Sequence, residues 1–135
     1  MEEKAIRVLV ANRPRLMREL VLSIFADQSD IQVVGEVAED AQIPATVEQT
    51  LPDLLVIALD DPSKRPSICD ALLRRYPRMR IIALASDRSL SVYYWTPFDV
   101  LGSSLDIHAS SFEASEESIL ETVRRGVHQQ EGTKQ

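Results

Sequence analysis

The sequence predicts an α/β domain, with a parallel five-stranded sheet between two layers of helices. Short apolar runs alternate with amphipathic stretches along the chain, the pattern of strands joined by crossover helices. Two of those runs, 54–59 and 81–85, are apolar throughout, as strands covered on both faces are. The length of 135 residues suits one domain with one core.

Each element has its own signal. Residues 6–11 form a compact β-branched run, the first strand. Pro14 fits the first turn of a helix, with Asn12 or Arg13 as its cap. Leu16, Leu20 and Ile24, and also Met17, Val21 and Phe25, recur at helical spacing, so the first helix runs to about Asp27. Residues 31–37 are the second strand. Pro44 marks a late start for the second helix, with Val47 and Leu51 on the core side. After the third strand, 54–59, comes a polar loop holding Pro62 and Pro66. Residues 67–76 are the third helix, with Ile68, Ala71 and Leu72 inward and Leu73 beside them. Residues 81–85 are the fourth strand.

Beyond it the pattern is irregular. A short helix is expected over 87–94. Pro97, Gly102 and the serines at 103, 104, 110 and 111 break any regular element that follows. The fifth strand falls near 105–109, with Val100 and Leu101 as a rival position. Ser115 caps the last helix, and Glu116 and Glu117 suit its N-terminal dipole. Ile119, Leu120 and Val123 face the core. The domain is expected over 1–128, with 129–135 a frayed tail or linker.

Composition narrows the function. The chain is 44% hydrophobic and 27% charged, too apolar for disorder. A net charge of −6 argues against nucleic-acid contact by this domain. The basic cluster Arg74, Arg75, Arg78 and Arg80 reads as a solvated helix end and the turn after it. Cys69 is the only cysteine and sits among apolar neighbours, as a small hydrophobe. Cys69, His108 and His128 lack metal-ligand spacing, so no metal or cofactor is expected. No run is long enough to span a membrane, and the first residues form no signal peptide. The expected location is the cytoplasm. The four glycines, Gly35, Gly102, Gly126 and Gly132, are too far apart for a phosphate loop. Neither histidine has a nucleophile partner in a recognisable motif, so no enzyme is expected.

Right-handed crossovers leave few topologies, and the flavodoxin-like order 2-1-3-4-5 fits. Particular stretches then carry a resemblance. Pro52 and Asp53, followed by the apolar residues 54–57 and Ala58, resemble the phosphoacceptor strand of bacterial response-regulator receiver domains, the CheY-like form of this fold. Residues 6–20 look like the start of receivers of the LuxR/NarL-type group, which precede a helix-turn-helix domain. Residues 30–36 and 80–85 are similar to the second and fourth strands of that group. The resemblance covers most of 5–86, fades, and returns in the last helix.

The resemblance also says which positions should carry chemistry, and here they do not. Receivers hold magnesium with two acids after the first strand; the matching residues are Asn12 and Arg13, and no acid lies between Glu3 and Glu19. The phosphoacceptor position is Ala58. Asp60 and Asp61 lie past the strand end and read as loop acids rather than surrogate acceptors. The hydroxyl position after the fourth strand is Ala85, with Ser86 next to it on the opposite face. The conserved-lysine position matches Phe112, with Ile107 as rival, and no lysine occurs between Lys64 and Lys134. Four losses at four separated sites imply a pseudo-receiver that signals without phosphate.

The remade pocket has two readings: Arg13 stands in for magnesium and pairs with Asp60 or Asp61, or it points into water. Tyr93, Tyr94, Trp95 and Phe98 are four of the seven aromatics. With Ile119 and Arg124 they form a candidate interaction surface, since aromatic residues are enriched at contact hot spots; local packing over the sheet edge is the competing reading. The expected function is a phosphorylation-independent signalling module in two-component transcription regulation, acting as a homodimer or through a partner protein. A DNA-binding domain appended in a longer form would make the DNA contact. The alternative is a sensor of a small ligand or anion near Arg13.

Overall fold

A computed structural model describes residues 4–86, 90–97 and 106–131, the stretch 126–131 by its backbone alone. Six strands form one sheet: β1 Ile6–Ala11, β2 Ile31–Glu36, β3 Leu54–Ala58, β4 Arg80–Leu84, β5 Ser91–Trp95 and β6 His108–Phe112, in the order β2-β1-β3-β4-β5-β6. The helices are α1 Arg15–Ala26, α2 Ile43–Thr50, α3 Ser67–Arg75 and α4 Glu116–Glu131, with a 3-10 turn at Asp40–Gln42.

The first four strands are parallel and follow the expected order. The remainder corrects the expectation of a five-stranded parallel sheet. β5 runs antiparallel to β4, and β6 antiparallel to β5. Residues 91–94, expected to be helical, belong to the strand Ser91–Trp95; residues 87–89 lie outside those described. Val92, Tyr93, Tyr94 and Trp95 are all strong β-formers. The final strand sits at 108–112 rather than 105–109, and the rival Val100 and Leu101 lie outside the described residues. Helix α4 continues through 129–131, into the expected tail.

The four interior strands of the sheet, β1, β3, β4 and β5, are buried on both faces. One face packs Leu9, Leu55, Ile57, Ile81 and Ala83 against Ile43 and Val47 of α2 and Cys69, Leu72 and Leu73 of α3. The other packs Val8, Val10, Val56, Ile82, Leu84 and Tyr93 against Val21, Ile24 and Phe25 of α1 and Ile119 and Val123 of α4. Alternate residues of each strand feed the two layers, which explains runs apolar without alternation. Burial pushes the Cys69 thiol up to about 12, in keeping with an inert core residue.

Several local expectations change. Leu16 and Leu20 are exposed, and Arg18 takes the inward position between them, its Nε donating to Glu36 at 2.8 Å. Pro14 is itself the N-cap of α1, with no side-chain cap from Asn12 or Arg13. Ala71 is exposed. Leu51 is exposed too, in the left-handed conformation that ends α2 (φ 47°). Ser115 does cap α4: its Oγ accepts from Ser118 N–H at 3.0 Å, and Ser118 Oγ accepts from Ser115 N–H at 2.8 Å, a reciprocal cap. Arg80 is not solvated. It is buried and its Nη1 donates to the Val123 carbonyl at 2.9 Å, tying β4 to α4. Gly35 allows β2 to approach β1, since a Cβ there would meet Leu9 Cδ1 at 2.9 Å.

Candidate functional site

Parallel pairing brings the C-terminal ends of β1, β3 and β4 side by side, with Ala11 opposite Ile57 and Ala58 opposite Leu84. In an open α/β sheet this end is where sites form. The sheet therefore gathers Asn12 and Arg13, Ala58, Asp60 and Asp61, and Ala85 and Ser86. Phe112 joins them, because β6 runs parallel to β4 and Phe112 pairs with Ser91 at the same end. Ile107, before β6, lies at the opposite end.

Arg13 is the organising charge. Its Nε donates to Asp40 Oδ1 at 3.0 Å and its Nη2 to Asp40 Oδ2 at 2.9 Å, a bidentate fork. The same Nη2 donates to Asp60 Oδ2 at 3.2 Å. Hydrogen bonds to Asp40 first, and then Asp60, raise the Arg13 pKa above its ordinary value. One guanidinium thus joins the β1–α1 corner, the turn after β2 and the loop after β3.

Of the two acids expected beside Arg13, only Asp60 reaches it. Asp61 turns to its own loop, where Oδ1 accepts from Ser63 Oγ at 2.7 Å and Ser63 N–H at 3.0 Å. Those bonds hold its carboxyl below the usual range. Asp40, the closer partner, was not singled out from the sequence. It is an exposed acid 27 residues away in a 3-10 turn, and no spacing rule links it to Arg13.

Asn12 is fully buried, and among the described residues its side-chain Oδ1 and Nδ2 find no hydrogen-bond partner. Its carbonyl accepts from Arg18 Nη1 at 3.4 Å. Ala58 ends β3 with a methyl group, which has no nucleophilic chemistry. Ala85 is buried, and its N–H donates to Ser91 Oγ at 3.1 Å. Ser86 is exposed. The hydroxyl beside the end of β4 therefore comes from β5 and is spent on the backbone. Among the described residues no group of three or more His, Cys, Asp or Glu is placed to hold a metal, and no helix is long and apolar enough to cross a membrane.

The aromatic segment divides, which corrects its reading as a contact surface. Tyr93 and Tyr94 are buried, and so is Ile119. Tyr93 stacks on Trp95 with ring centroids 5.0 Å apart, and Trp95 meets His108 at 5.5 Å. Tyr93 and Trp95 project into the layer with α1 and α4, and Tyr94 into the layer with α2 and α3, because alternate residues of β5 face opposite sides of the sheet. Phe98 lies outside the described residues. Arg124 is engaged within the chain, by Asp30 and Gln28.

The fold has solved counterparts. The signal receiver domain of NarL from Mycobacterium tuberculosis superposes with a TM-score of 0.54, over 64% of this chain and 71% of that one, at 23% identity. The chain shares the receiver-domain fold. The response regulator domain of CheB from Thermotoga maritima gives 0.52, over 64% of each chain, also at 23% identity. A variant of HypX from Aquifex aeolicus gives 0.52 at 12% identity, covering 98% of this chain and 29% of that one. In sequence, the chain is 30% identical over 81 residues to the uncharacterized transcriptional regulatory protein YhcZ of Bacillus subtilis (strain 168). The match takes in 59% of this chain and 38% of YhcZ, so the chain spans well under half the length of that relative. No family model matches.

Proposed function

We propose that this chain is a receiver-like signalling module that works without aspartyl phosphorylation, by self-association or by binding a partner protein, in transcription regulation. The observation that carries the reading is the Arg13 brace. A fixed cation with two carboxylates occupies the end of the sheet where a receiver would need a bound metal, and β3 offers Ala58 in place of an acceptor. Aspartyl-phosphate chemistry needs a nucleophile and a cationic clamp on the transferred group. Here the cation is already paired. The same pairing weighs against the alternative, an anion or small-ligand sensor, because a ligand would have to displace Asp40 and Asp60. The similarity to YhcZ supports a regulatory setting; a DNA-binding domain in a longer form would make the DNA contact.

The test uses beryllofluoride with magnesium, a mimic of the aspartyl phosphate. Thermal stability and mass by light scattering should not change on its addition. A rise in melting temperature or a change in mass, lost in Asp60→Asn or Asp61→Asn, would show a surviving acceptor and sink the reading.

A further inference from the structure

We infer that β6 is a docking edge for a second copy of this chain, joined β6 to β6 about Ser110; the inference rests on the reading of the chain as a self-associating module. Among the described residues β6 is the terminal strand of the sheet. An edge strand turns alternate N–H and C=O groups away from its neighbour, and those groups need partners. Proteins blunt such edges with charges, prolines or bulges. The other edge, β2, is blunted: its pairing with β1 shifts register between Val8 and Leu9, and it carries Glu36. β6 has none of these devices. Its sequence, His108-Ala109-Ser110-Ser111-Phe112, holds no acid, lysine, arginine or proline, and its pairing with β5 is unbroken over those five residues.

Symmetry selects the register. Opposed pairs in an antiparallel ladder alternate between hydrogen-bonded and non-hydrogen-bonded types. A two-fold axis between identical strands must therefore pass beside a residue that faces itself. With Ser110 there, His108 meets Phe112 and Ala109 meets Ser111 in both directions, and the whole strand is used. Moving the axis to Ala109 or Ser111 shortens the ladder. In the Ser110 register the flanking acids, Asp106 and Glu113, come opposite Ala114 and Ile107 of the second copy, so no like charges face each other. His108, Ala109 and Ser111 are exposed, so that copy can reach them. The net charge of −6 opposes approach elsewhere on the surface, which favours a segment with no acid.

Light scattering on the full chain tests this, with circular dichroism as the check on folding. The wild type should run at twice the 15.2 kDa chain mass. Ala109→Lys with Ser111→Lys sets like charges opposite each other and should halve the mass. Ala109→Lys with Ser111→Glu sets opposite charges in place and should restore it. Ser110→Cys should give a covalent dimer on oxidation, since self-facing Cα atoms about 4.5–5.5 Å apart suit a disulfide and the native Cys69 is buried. A monomeric wild type would overturn the inference and leave the phosphate-independent reading to the beryllofluoride result alone. A dimer that survives the double-lysine change would place self-association on another surface and also overturn it. Failure of the Lys/Glu pair to restore the mass, or of the cysteine to cross-link, would overturn the Ser110 register.

Discussion

Arg124 of α4 grips Asp30 at the entry to β2 with both arms of its fork: Nε donates to Oδ2 at 2.7 Å and Nη2 to Oδ1 at 2.8 Å. Nη2 also donates to Gln28 Oε1 at 2.7 Å. The last helix is thereby fastened to the turn between α1 and β2, across 94 residues of sequence. Bidentate pairs of this kind are the stronger surface contacts, though both side chains are more than a third exposed and solvent screens them.

That pair predicts a pH dependence. The hydrogen bond from Arg124 holds the Asp30 carboxyl below its ordinary value of 3.8. A depressed folded-state pKa contributes stability that is present above 3.8 and lost as pH falls through the depressed value. Arg124→Ala should therefore lower stability at neutral pH by about 0.5–1 kcal/mol. The difference between variant and wild type should shrink toward zero in strong acid. Urea titrations at a series of pH values will measure it; a difference independent of pH would mean Arg124 acts by packing alone.

The Arg13 brace predicts which acid couples to it. A double-mutant cycle of Arg13→Ala with Asp40→Ala should give about 0.5–1 kcal/mol of coupling, weakened by salt. The cycle with Asp61→Ala should give none, because Asp61 is held by Ser63. Coupling to Asp61 instead would mean that the loop after β3 has a different arrangement in solution.

These two pairs mark what the sequence could and could not show. Strands β3 and β4 were legible because burial on both faces leaves continuous apolar runs, and β1 and β2 because they are short runs rich in β-branched residues. The α4 cap was legible because Ser115 precedes two acids and an apolar stripe. Arg13 was legible as an anomaly, a cation where the resemblance called for an acid. Asp40 was not, because pairing across distant loops leaves no periodic trace. Helix α1 misled because its sequence holds two interleaved stripes. The buried one includes Arg18, whose charge is met by Glu36 and whose long stem lies inward. The segment after β4 misled for a different reason: Ser91–Trp95 has strand propensity, but the irregular pattern around it was read as a short helix over 87–94. An extra strand between β4 and the final one was not a possibility that spacing could raise.

Asn12 predicts an unusual gain. Its amide is fully buried without a protein partner among the described residues. An unsatisfied buried polar group costs about 1–3 kcal/mol, and an apolar group of similar shape removes that cost. Asn12→Leu should raise the melting temperature, with a gain of about 1 kcal/mol after some misfit. Asn12→Ala should not, since it leaves a void. If Asn12→Leu destabilises the fold, the amide has a partner in solution, and the site around it is wetter or more open than its burial implies.

The last prediction concerns the hydroxyl at the end of β4. The resemblance placed it at Ala85, with Ser86 next to it. The structure supplies it from Ser91, whose Oγ accepts from the Ala85 N–H at 3.1 Å in a buried setting. Ser91→Ala removes the acceptor and leaves a buried N–H unpaired, so it should cost about 1–3 kcal/mol. Ser86→Ala changes an exposed side chain and should stay within about 0.5 kcal/mol of wild type. Denaturant unfolding of the two variants separates the cases. The expected asymmetry would mean that the buried hydroxyl beside the end of β4 belongs to β5 and serves the Ala85 N–H. Equal, small effects would mean that the Ala85 N–H finds another partner, and the hydroxyl of Ser91 would then be free for a ligand.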